Sequence, residues 1–237
     1  MGGEAMRRYW DDRAREDAFY FVDNELAYGN PDRERFWTRG AQALDLLLEA
    51  VGVALTSEDR VVEIGCGIGR MTRAIASRVA FVEALDVSER MLELAREHNP
   101  ELANVSWLLG DGESLSGVAD ASVDVCVSHV VFQHLPHPSL ALGYVGEIGR
   151  VLGDRGWAAL QVSNAPRVHS RRPAGERLEG ALRAALGRGP RGQDHPAWRG
   201  SAIDLAELGE AAGAAGMEVE RVAGAGTQFC IVLLRQS

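Results

Sequence analysis

The chain has 237 residues, enough for one sizeable hydrophobic core, and with 46% hydrophobic and 25% charged residues it has an ordinary globular composition. Its formal net charge of -9 disfavours a nucleic-acid-binding protein that relies on overall positive charge. All 25 basic residues are arginine, which excludes lysine chemistry such as a Schiff base or a P-loop lysine.

The cysteines indicate a reducing compartment. Cys66, Cys126 and Cys230 form no CxxC pair, and an odd number without metal-ligand spacing is typical of reduced thiols. No stretch approaches the roughly 18 apolar residues of a membrane span, and the first residues lack a secretory signal pattern. We therefore expect a cytoplasmic protein without a membrane partner.

Residues 1–56 are predicted to form a helical N-terminal cap. One helix is expected from Met6 to Phe19, and a second is expected to begin at Asn30-Pro31, a cap followed by a first-turn proline. Aromatic residues of this cap could line a substrate cavity, although aromatics at helical spacing are more often plain core. The candidates for substrate binding are Tyr9, Trp10, Tyr20 and Trp37.

From residue 57 onward strands and helices alternate. Strands are predicted at 60–64, 81–86, 104–109, 123–128 and 157–163, and helices at about 69–79, 88–98 and 138–151. The strands are rich in Val, Leu and Ala with little polar alternation, as in a sheet that is covered on both faces. This order predicts a doubly wound α/β fold with right-handed crossovers.

Residues 164–200 interrupt the alternation with an insertion in which arginines outnumber acids. It contains one predicted helix at about 175–187 and is either a substrate loop, where its arginines could meet an anionic substrate, or a solvated surface segment. The arginines are Arg167, Arg171, Arg172, Arg177, Arg183, Arg188, Arg191 and Arg199. A helix at 202–215 and two strands at 217–223 and 227–234 follow, and the short turn between the strands predicts an antiparallel pair.

A glycine-rich turn follows the first predicted strand and reads Glu63-Ile64-Gly65-Cys66-Gly67-Ile68-Gly69-Arg70. Glycine permits a tight turn and lets a ligand approach the backbone. The dinucleotide fingerprint is G-x-G-x-x-G, whereas here Arg70 occupies the place of the third glycine, and Glu63 would repel a pyrophosphate. The turn therefore favours S-adenosylmethionine, a sulfonium cation, over a nicotinamide dinucleotide.

Polar residues also end the next three predicted strands. Asp86 ends the second strand, where a carboxylate can accept both hydrogen bonds of a ribose diol. Asp111-Gly112-Glu113 follows the third strand, and Ser128-His129 ends the fourth. Because carboxyl ends of parallel strands meet at one edge of the sheet, these residues predict a single crevice.

Together these motifs resemble those of class I S-adenosylmethionine-dependent methyltransferases, firmly over about residues 60–163 and more loosely beyond. The matching motifs are Glu63-x-Gly65-x-Gly67-x-Gly69, Asp86, Gly110-Asp111-Gly112 and Asp124-x-x-x-Ser128. The resemblance implies a seven-stranded, mostly parallel, doubly wound sheet with a reversed last strand, in a Rossmann-like domain over residues 57–237. One departure is Glu83, a charged residue inside the second strand, which indicates either an edge position or a strand register that is off by one.

The resemblance also implies roles for individual residues in binding the cofactor S-adenosylmethionine. Gly65 and Gly67 would approach its methionine part, Glu63 its amino group, and Asp86 its ribose. The adenine would pack on Val87 and meet the Asp111 side chain and the Gly112 N–H, while Ser128 would offer its main-chain carbonyl to the methionine amine. Cys66, which is better explained as a space-filler than as a nucleophile, Gly69 and Glu113 complete the predicted set.

Three histidines, His129, His134 and His137, follow the fourth predicted strand. Their spacing in a loop does not favour a metal site, and we expect no metal. A histidine there could act as a general base on an acceptor near neutral pH. His129 is the better candidate, whereas His134 is equally consistent with a structural role.

The sequence thus predicts a methyltransferase that acts on an oxygen or nitrogen nucleophile of a small molecule, in specialised metabolism, as a monomer or homodimer. The acceptor itself is not identified. Three alternatives stay open: an enzyme of the same fold that uses bound S-adenosylmethionine without moving a methyl group, such as a cyclase or decarboxylase; a nicotinamide oxidoreductase; and a non-catalytic cofactor-binding protein.

Overall fold

The computed structural model describes residues 2–170, 174–187 and 189–237. Arg171, Arg172 and Arg188 of the insertion lie outside the described residues. The strands are β1 (Arg60–Ile64), β2 (Phe81–Asp86), β3 (Val105–Leu109), β4 (Val123–Ser128), β5 (Leu152–Val162), β6 (Met217–Ala223) and β7 (Cys230–Gln236). The helices are α1 (Gly3–Val22), α2 (Arg33–Val51), α3 (Thr72–Ala76), α4 (Glu89–His98), α5 (Pro138–Val151), α6 (Ala174–Ala185), α7 (Pro196–Arg199) and α8 (Leu205–Ala214), with 3₁₀ turns at Phe132–His134 and Pro166–His169.

Within the described residues the strands form one seven-stranded sheet in the order β3-β2-β1-β4-β5-β7-β6. Neighbouring strands from β3 to β5 are parallel, and β7 runs antiparallel to both β5 and β6. The predicted doubly wound sheet with a reversed last strand is therefore confirmed. The order of the strands in the sheet reverses between β1 and β4, because β2 and β3 lie on one side of β1 and β4 lies on the other. The crevice at such a switch point is the usual ligand site in α/β sheets.

Helices cover both faces of the sheet because successive residues of a strand point in opposite directions. Val61 of β1 belongs to a buried cluster with Leu47 of α2, whereas Val62 belongs to a cluster with Ile148 of α5. Helix α2, which was predicted to belong to an N-terminal cap, therefore contributes to the main core of the domain.

Helix α2 begins later than predicted. Its N-cap is Asp32, whose carboxylate accepts a hydrogen bond from the Arg35 N–H at 3.0 Å. The prediction that Asn30 caps this helix is wrong, because the first helical residue is Arg33 and Asn30 lies in the preceding turn. A cap must reach the free N–H groups of the first helical turn, and Asp32 is the residue that does so.

Glu83 lies inside the sheet, and the predicted strand register is correct. It pairs with Val62 of β1 on one side and with Ser106 of β3 on the other. Its buried Oε2 has no hydrogen-bond partner within the described ranges, and burial raises the pKa of its carboxyl group. Neither an edge position nor a register error explains this residue.

Helix α1 bends at Asp17, whose φ of -166° and ψ of 85° are not helical. The Asp17 carboxylate accepts hydrogen bonds from the Tyr20 N–H at 3.1 Å and from the Gly29 N–H at 2.7 Å. Asp17 therefore caps the last turn of the helix, which carries Phe21 and Val22.

None of the helices in the part of the chain described above combines the length and the apolar character needed to cross a membrane.

Candidate functional site

Two adjoining cavities lie at the carboxyl ends of the strands. The inner cavity encloses about 1080 Å³, including its opening, and its lining includes Glu63, Gly67, Asp86 and Gly112. The outer cavity encloses about 1690 Å³, including its opening, and is bordered by Arg39, Gln133 and the insertion. The residues that line both cavities form a shared wall: Phe21, Val22, Arg70, His129, Val130 and His134.

Helix α1 lies across the inner cavity and is attached to the loops that follow β2 and β3. The Arg7 guanidinium donates to the carbonyls of Val87 at 3.2 Å and Gly110 at 3.0 Å. The Asp11 carboxylate accepts from the Ser88 hydroxyl at 2.6 Å and from the Arg90 N–H at 3.1 Å. These bonds make α1 one wall of the cavity.

The glycine-rich turn is held between the neighbouring strands. The N–H groups of Gly65 and Cys66 both donate to the Leu85 carbonyl at 2.8 Å. Gly65 has a φ of +78°, and a Cβ atom there would lie 2.2 Å from Cγ2 of Val131. Both the left-handed backbone and the close approach require glycine at this position. The cavity is therefore lined by bare backbone at the turn.

Asp86 joins the turn to β2. Its Oδ2 accepts from the Gly67 N–H at 2.9 Å, and its Oδ1 accepts from the Ser88 N–H at 2.8 Å. Burial raises the pKa of this carboxyl to about 6, although these backbone hydrogen bonds oppose the rise. A carboxylate oxygen can accept two hydrogen bonds, so each oxygen keeps capacity for one more. That capacity suits a diol.

Glu63 is buried beneath the turn, and its Oε2 accepts from the Thr72 hydroxyl at 2.5 Å. Burial raises the pKa of Glu63 to about 7, while the Thr72 bond and the positive charge of Arg70 act to lower it. A buried carboxyl with such a pKa is readily ionised by a cationic ligand, because a nearby positive charge favours the charged form.

The loop after β3 presents backbone to the inner cavity. The Asp111 carboxylate is exposed and accepts from the Glu113 N–H at 2.8 Å and from the Ser114 N–H at 2.7 Å. Burial acts to raise its pKa, but the hydrogen bonds from Ser114 and Glu113 outweigh that effect and lower it. Asp111 thus shapes its own loop, while Gly110 and Gly112 line the cavity.

The remaining residues of the predicted cofactor set divide in the same way. Cys66 and Val87 line the inner cavity, and burial raises the pKa of the Cys66 thiol well above its ordinary value, which fits a space-filling role. Ser128 is buried, and its hydroxyl donates to the Ile64 carbonyl at 2.9 Å. Gly69, Glu113 and Ser128 do not line the cavity; Glu113 accepts from the Gly3 N–H at 3.1 Å on the outside of the loop.

His129 lies on the shared wall. Its buried Nδ1 has no hydrogen-bond partner among the residues that the structure describes. Burial lowers the pKa of His129 to about 4, and the positive charge of Arg70 acts in the same direction. The imidazole is therefore neutral near pH 7, and a neutral imidazole keeps one nitrogen lone pair that can accept a proton.

His134 is fully engaged by its neighbours. Its Nδ1 lies 2.6 Å from the Trp198 carbonyl, and its Nε2 lies 3.3 Å from Nε2 of Gln133. Because a carbonyl only accepts, the hydrogen-bond network assigns the proton to Nδ1 and leaves Nε2 to accept from the Gln133 amide. His134 was predicted as a catalytic candidate, but both of its ring nitrogens are occupied, and this side chain of the shared wall joins Gln133 to Trp198.

The loop after β4 is held in a strained conformation. Val130 has a φ of +59°, which is costly for a β-branched residue. Its N–H donates to Oε1 of Gln161 at 2.7 Å, and the Gln161 amide donates to Oε1 of Gln133 at 3.1 Å and to the Gln228 carbonyl at 2.6 Å. This chain of buried amides, which sequence reasoning missed, connects the strained residue to β5 and through Gln133 to His134.

Of the four predicted substrate-binding aromatics, Trp10 lines the inner cavity, whereas Tyr9, Tyr20 and Trp37 line neither cavity. Tyr9 donates to the Gly192 carbonyl at 3.1 Å and holds the insertion. Tyr20 packs against Phe21 and Tyr28, and Trp37 packs under the Arg73 guanidinium, 4.0 Å from the ring centre. Each points away because its position on the helix places it on another face.

The apolar lining from α1 comes instead from Met6, Trp10, Phe21 and Val22. Met6 and Trp10 are four residues apart and share one helix face, a spacing that could have indicated them. The bend at Asp17 brings Phe21 and Val22 to the same cavity, and no sequence pattern predicts that bend.

The end of the insertion forms part of the outer wall. The Trp198 ring packs near His134, Phe21 and Trp10, at centroid distances of 5.2, 5.6 and 6.3 Å. A Cβ atom at Gly200 would lie 1.7 Å from the Gln133 carbonyl oxygen, so the chain passes directly over the 3₁₀ turn. This part of the insertion is therefore not a free surface segment.

Comparisons with known proteins agree with this architecture. Residues 62–160 match the family model described as a methyltransferase domain. The chain is 40% identical over 94 residues to the biotin biosynthesis bifunctional protein BioHC of Cellvibrio japonicus, an alignment that covers 40% of this chain and 17% of that protein. It is 35% identical over 127 residues to trans-aconitate 2-methyltransferase of Mycolicibacterium gilvum, which covers 52% of this chain and 44% of that protein.

A solved structure shows the same fold. Phosphoethanolamine N-methyltransferase 1 of Haemonchus contortus, in complex with phosphoethanolamine and S-adenosylhomocysteine, superposes with a TM-score of 0.69 at 16% identity. The superposition covers 98% of this chain and 48% of that chain. The chain thus spans less than half the length of each of these three relatives.

Proposed function

We propose that this chain, which carries a class I S-adenosylmethionine-dependent methyltransferase domain, transfers the methyl group to an oxygen or nitrogen nucleophile on a small molecule of specialised metabolism. The observation that carries the proposal is the shared wall. It separates an inner cavity with the polar groups expected for the donor from a second, larger cavity for an acceptor.

The residues of the inner cavity fit S-adenosylmethionine. Asp86 has unused acceptor capacity for the ribose hydroxyls. Val87, with the backbone of Gly110 and Gly112, surrounds the space proposed for the adenine, and Glu63 would meet the amino group of the methionine part. Bound there, S-adenosylmethionine supplies a methyl group that its sulfonium already activates.

The chain itself must then bring donor and acceptor together and exclude water. Holding two reactants in productive geometry can lower a barrier by about 7–11 kcal/mol. Trp10 and Phe21 of α1 line the inner cavity, and Trp198 packs against both of them from the insertion. The acceptor would approach through the outer cavity, whose rim carries the exposed apolar residues Val168 and Phe229.

His129 is the residue proposed to take a proton from the acceptor. It is neutral near pH 7, it lines both cavities, and its Nδ1 is free of partners in the described part of the chain. A positioned base contributes typically about 10²- to 10⁴-fold to a rate. His134 is assigned the different task of holding the wall, since both of its ring nitrogens are engaged.

Methyl-labelled S-adenosylmethionine tests the proposal. The purified protein is incubated with it and with panels of oxygen and nitrogen nucleophiles, and small molecules retained on purification are identified by mass spectrometry. We expect label in one acceptor class and S-adenosylhomocysteine as the second product. Tight binding of S-adenosylmethionine without label transfer to any acceptor would favour a cofactor-binding protein or an enzyme that uses the cofactor without moving its methyl group.

A further inference from the structure

Arg70 is a buried cation with few partners. It is only 8% exposed, and its Nη1 lies 3.4 Å from Oδ2 of Asp23, a long contact. Its guanidinium makes no other hydrogen bond within residues 2–170, 174–187 and 189–237. A guanidinium carries five N–H donors, and burying it is costly unless they are satisfied. Because Arg70 lines both cavities, unused donors are available to a ligand.

The charges around Arg70 leave room for an anion. Asp23 is shared with Arg39, whose Nε lies 2.6 Å from the same carboxylate. Arg39 also pairs with Glu25, but that side chain is 64% exposed and its charge is screened by solvent. Glu63 attracts Arg70 electrostatically, but no hydrogen bond joins the two side chains in the described ranges, and the Glu63 Oε2 accepts from the Thr72 hydroxyl. Within this cluster Asp23 contacts two guanidiniums, those of the half-buried Arg39 and the buried Arg70, and Glu63 is a second buried carboxyl near Arg70.

The backbone of Arg70 is held firmly in place. A Cβ atom at Gly40 of α2 would lie 2.1 Å from the Arg70 carbonyl oxygen, so the two chain segments are in direct contact. The residue that stands where a dinucleotide fingerprint has its third glycine is thus a cation whose backbone is fixed at the shared wall.

We propose that Arg70 binds a carboxylate group at the shared wall, an inference that rests on the function proposed above. Two molecules could supply the group: the donor, through its methionine carboxylate, or an acceptor that carries a carboxylate in the outer cavity. Glu63 lines the inner cavity beside Arg70 and suits an ammonium group. Together they match the two opposite charges of an amino-acid moiety.

Calorimetry with two ligands tests this site. S-adenosylhomocysteine and its decarboxylated analogue, which keeps the amine and lacks the carboxylate, are titrated into the wild type, Arg70→Met and Arg39→Met. Arg39 is the matched control because it shares Asp23 but does not line the inner cavity. Arg70→Lys tests rescue by another cation, and Arg70→Gln replaces Arg70→Met if thermal unfolding shows that the latter does not fold.

If the donor supplies the carboxylate, the wild type and Arg39→Met will prefer S-adenosylhomocysteine by about tenfold or more, and Arg70→Met will lose that preference. If the acceptor supplies the carboxylate, Arg70→Met will keep the preference for S-adenosylhomocysteine over its decarboxylated analogue. In that case benzoate, followed by nuclear magnetic resonance, will bind to the wild type saturated with S-adenosylhomocysteine and will not bind to Arg70→Met. If Arg70→Met loses neither the preference for S-adenosylhomocysteine nor the binding of benzoate, the inference is overturned. Failure of the wild type to bind S-adenosylhomocysteine at all instead overturns the proposed function.

Discussion

Replacing Asp86 with alanine should weaken the binding of S-adenosylhomocysteine by roughly 30- to 1000-fold. The carboxylate already accepts from the N–H groups of Gly67 and Ser88 and has capacity for two ribose hydroxyls. Hydrogen bonds to an ionised acceptor contribute about 1.5–3 kcal/mol each, and water recovers part of that in the variant. A net loss of about 2–4 kcal/mol follows, which corresponds to the stated range.

The assay is isothermal calorimetry at pH 8, where Asp86 is ionised because burial raises its pKa only to about 6. Glu83→Ala is the matched control, since Glu83 is a partly buried carboxyl on the same strand and lines neither cavity. The affinity of Glu83→Ala for S-adenosylhomocysteine should differ from that of the wild type by no more than about twofold. A folded Asp86→Ala protein that binds as tightly as this control would refute the ribose assignment.

Three further predictions concern the shared wall and Glu63 in the inner cavity. His129→Ala should lower turnover of the acceptor found by labelling about 10²- to 10⁴-fold and leave S-adenosylhomocysteine affinity intact; an equal loss of both would identify a binding residue. Gln161→Leu should lower the free energy of unfolding by about 2–5 kcal/mol, because the Val130 N–H and the Oε1 of Gln133 each lose a buried hydrogen bond. An unchanged midpoint of unfolding in urea would contradict this prediction. Burial raises the pKa of Glu63 to about 7, so Glu63 should release its proton when a cationic donor binds at pH 6.5, and binding should weaken as the pH falls further. Calorimetry in two buffers with different ionisation enthalpies should show this proton release in the wild type and less of it in Glu63→Gln. Binding heats that do not depend on the buffer would contradict the prediction.

The inner cavity was largely predictable because its polar groups occur at strand ends. In a parallel sheet the carboxyl ends of neighbouring strands lie at one edge, so Glu63, Gly65 and Asp86 must come together once the strands are assigned. Asp111 shows the limit of that reasoning, because a carboxylate at a strand end can bind its own loop as easily as a ligand. The nearby serines at 114 and 116 were the signal for that alternative.

The strand register was predictable for a similar reason, since β1, β2 and β4 are short apolar runs with clear ends. The choice of aromatic residues was not. Periodicity showed that α1 is amphipathic, but the face that meets the cavity depends on the bend at Asp17 and on the docking of Arg7 against the loops after β2 and β3. Those contacts join residues about 80 to 100 positions apart.

By itself the sequence determined the sheet and the part of the site proposed for the donor, because these groups directly follow their own strands and the local sequence identifies the strand ends. Only the tertiary structure decided the part proposed for the acceptor. Its wall is assembled from Phe21, Arg70, His129 and Trp198, which belong to separate segments that meet through packing. Burial at that wall sets the charge state of His129 and leaves Arg70 with few partners, and burial is a property of the folded chain.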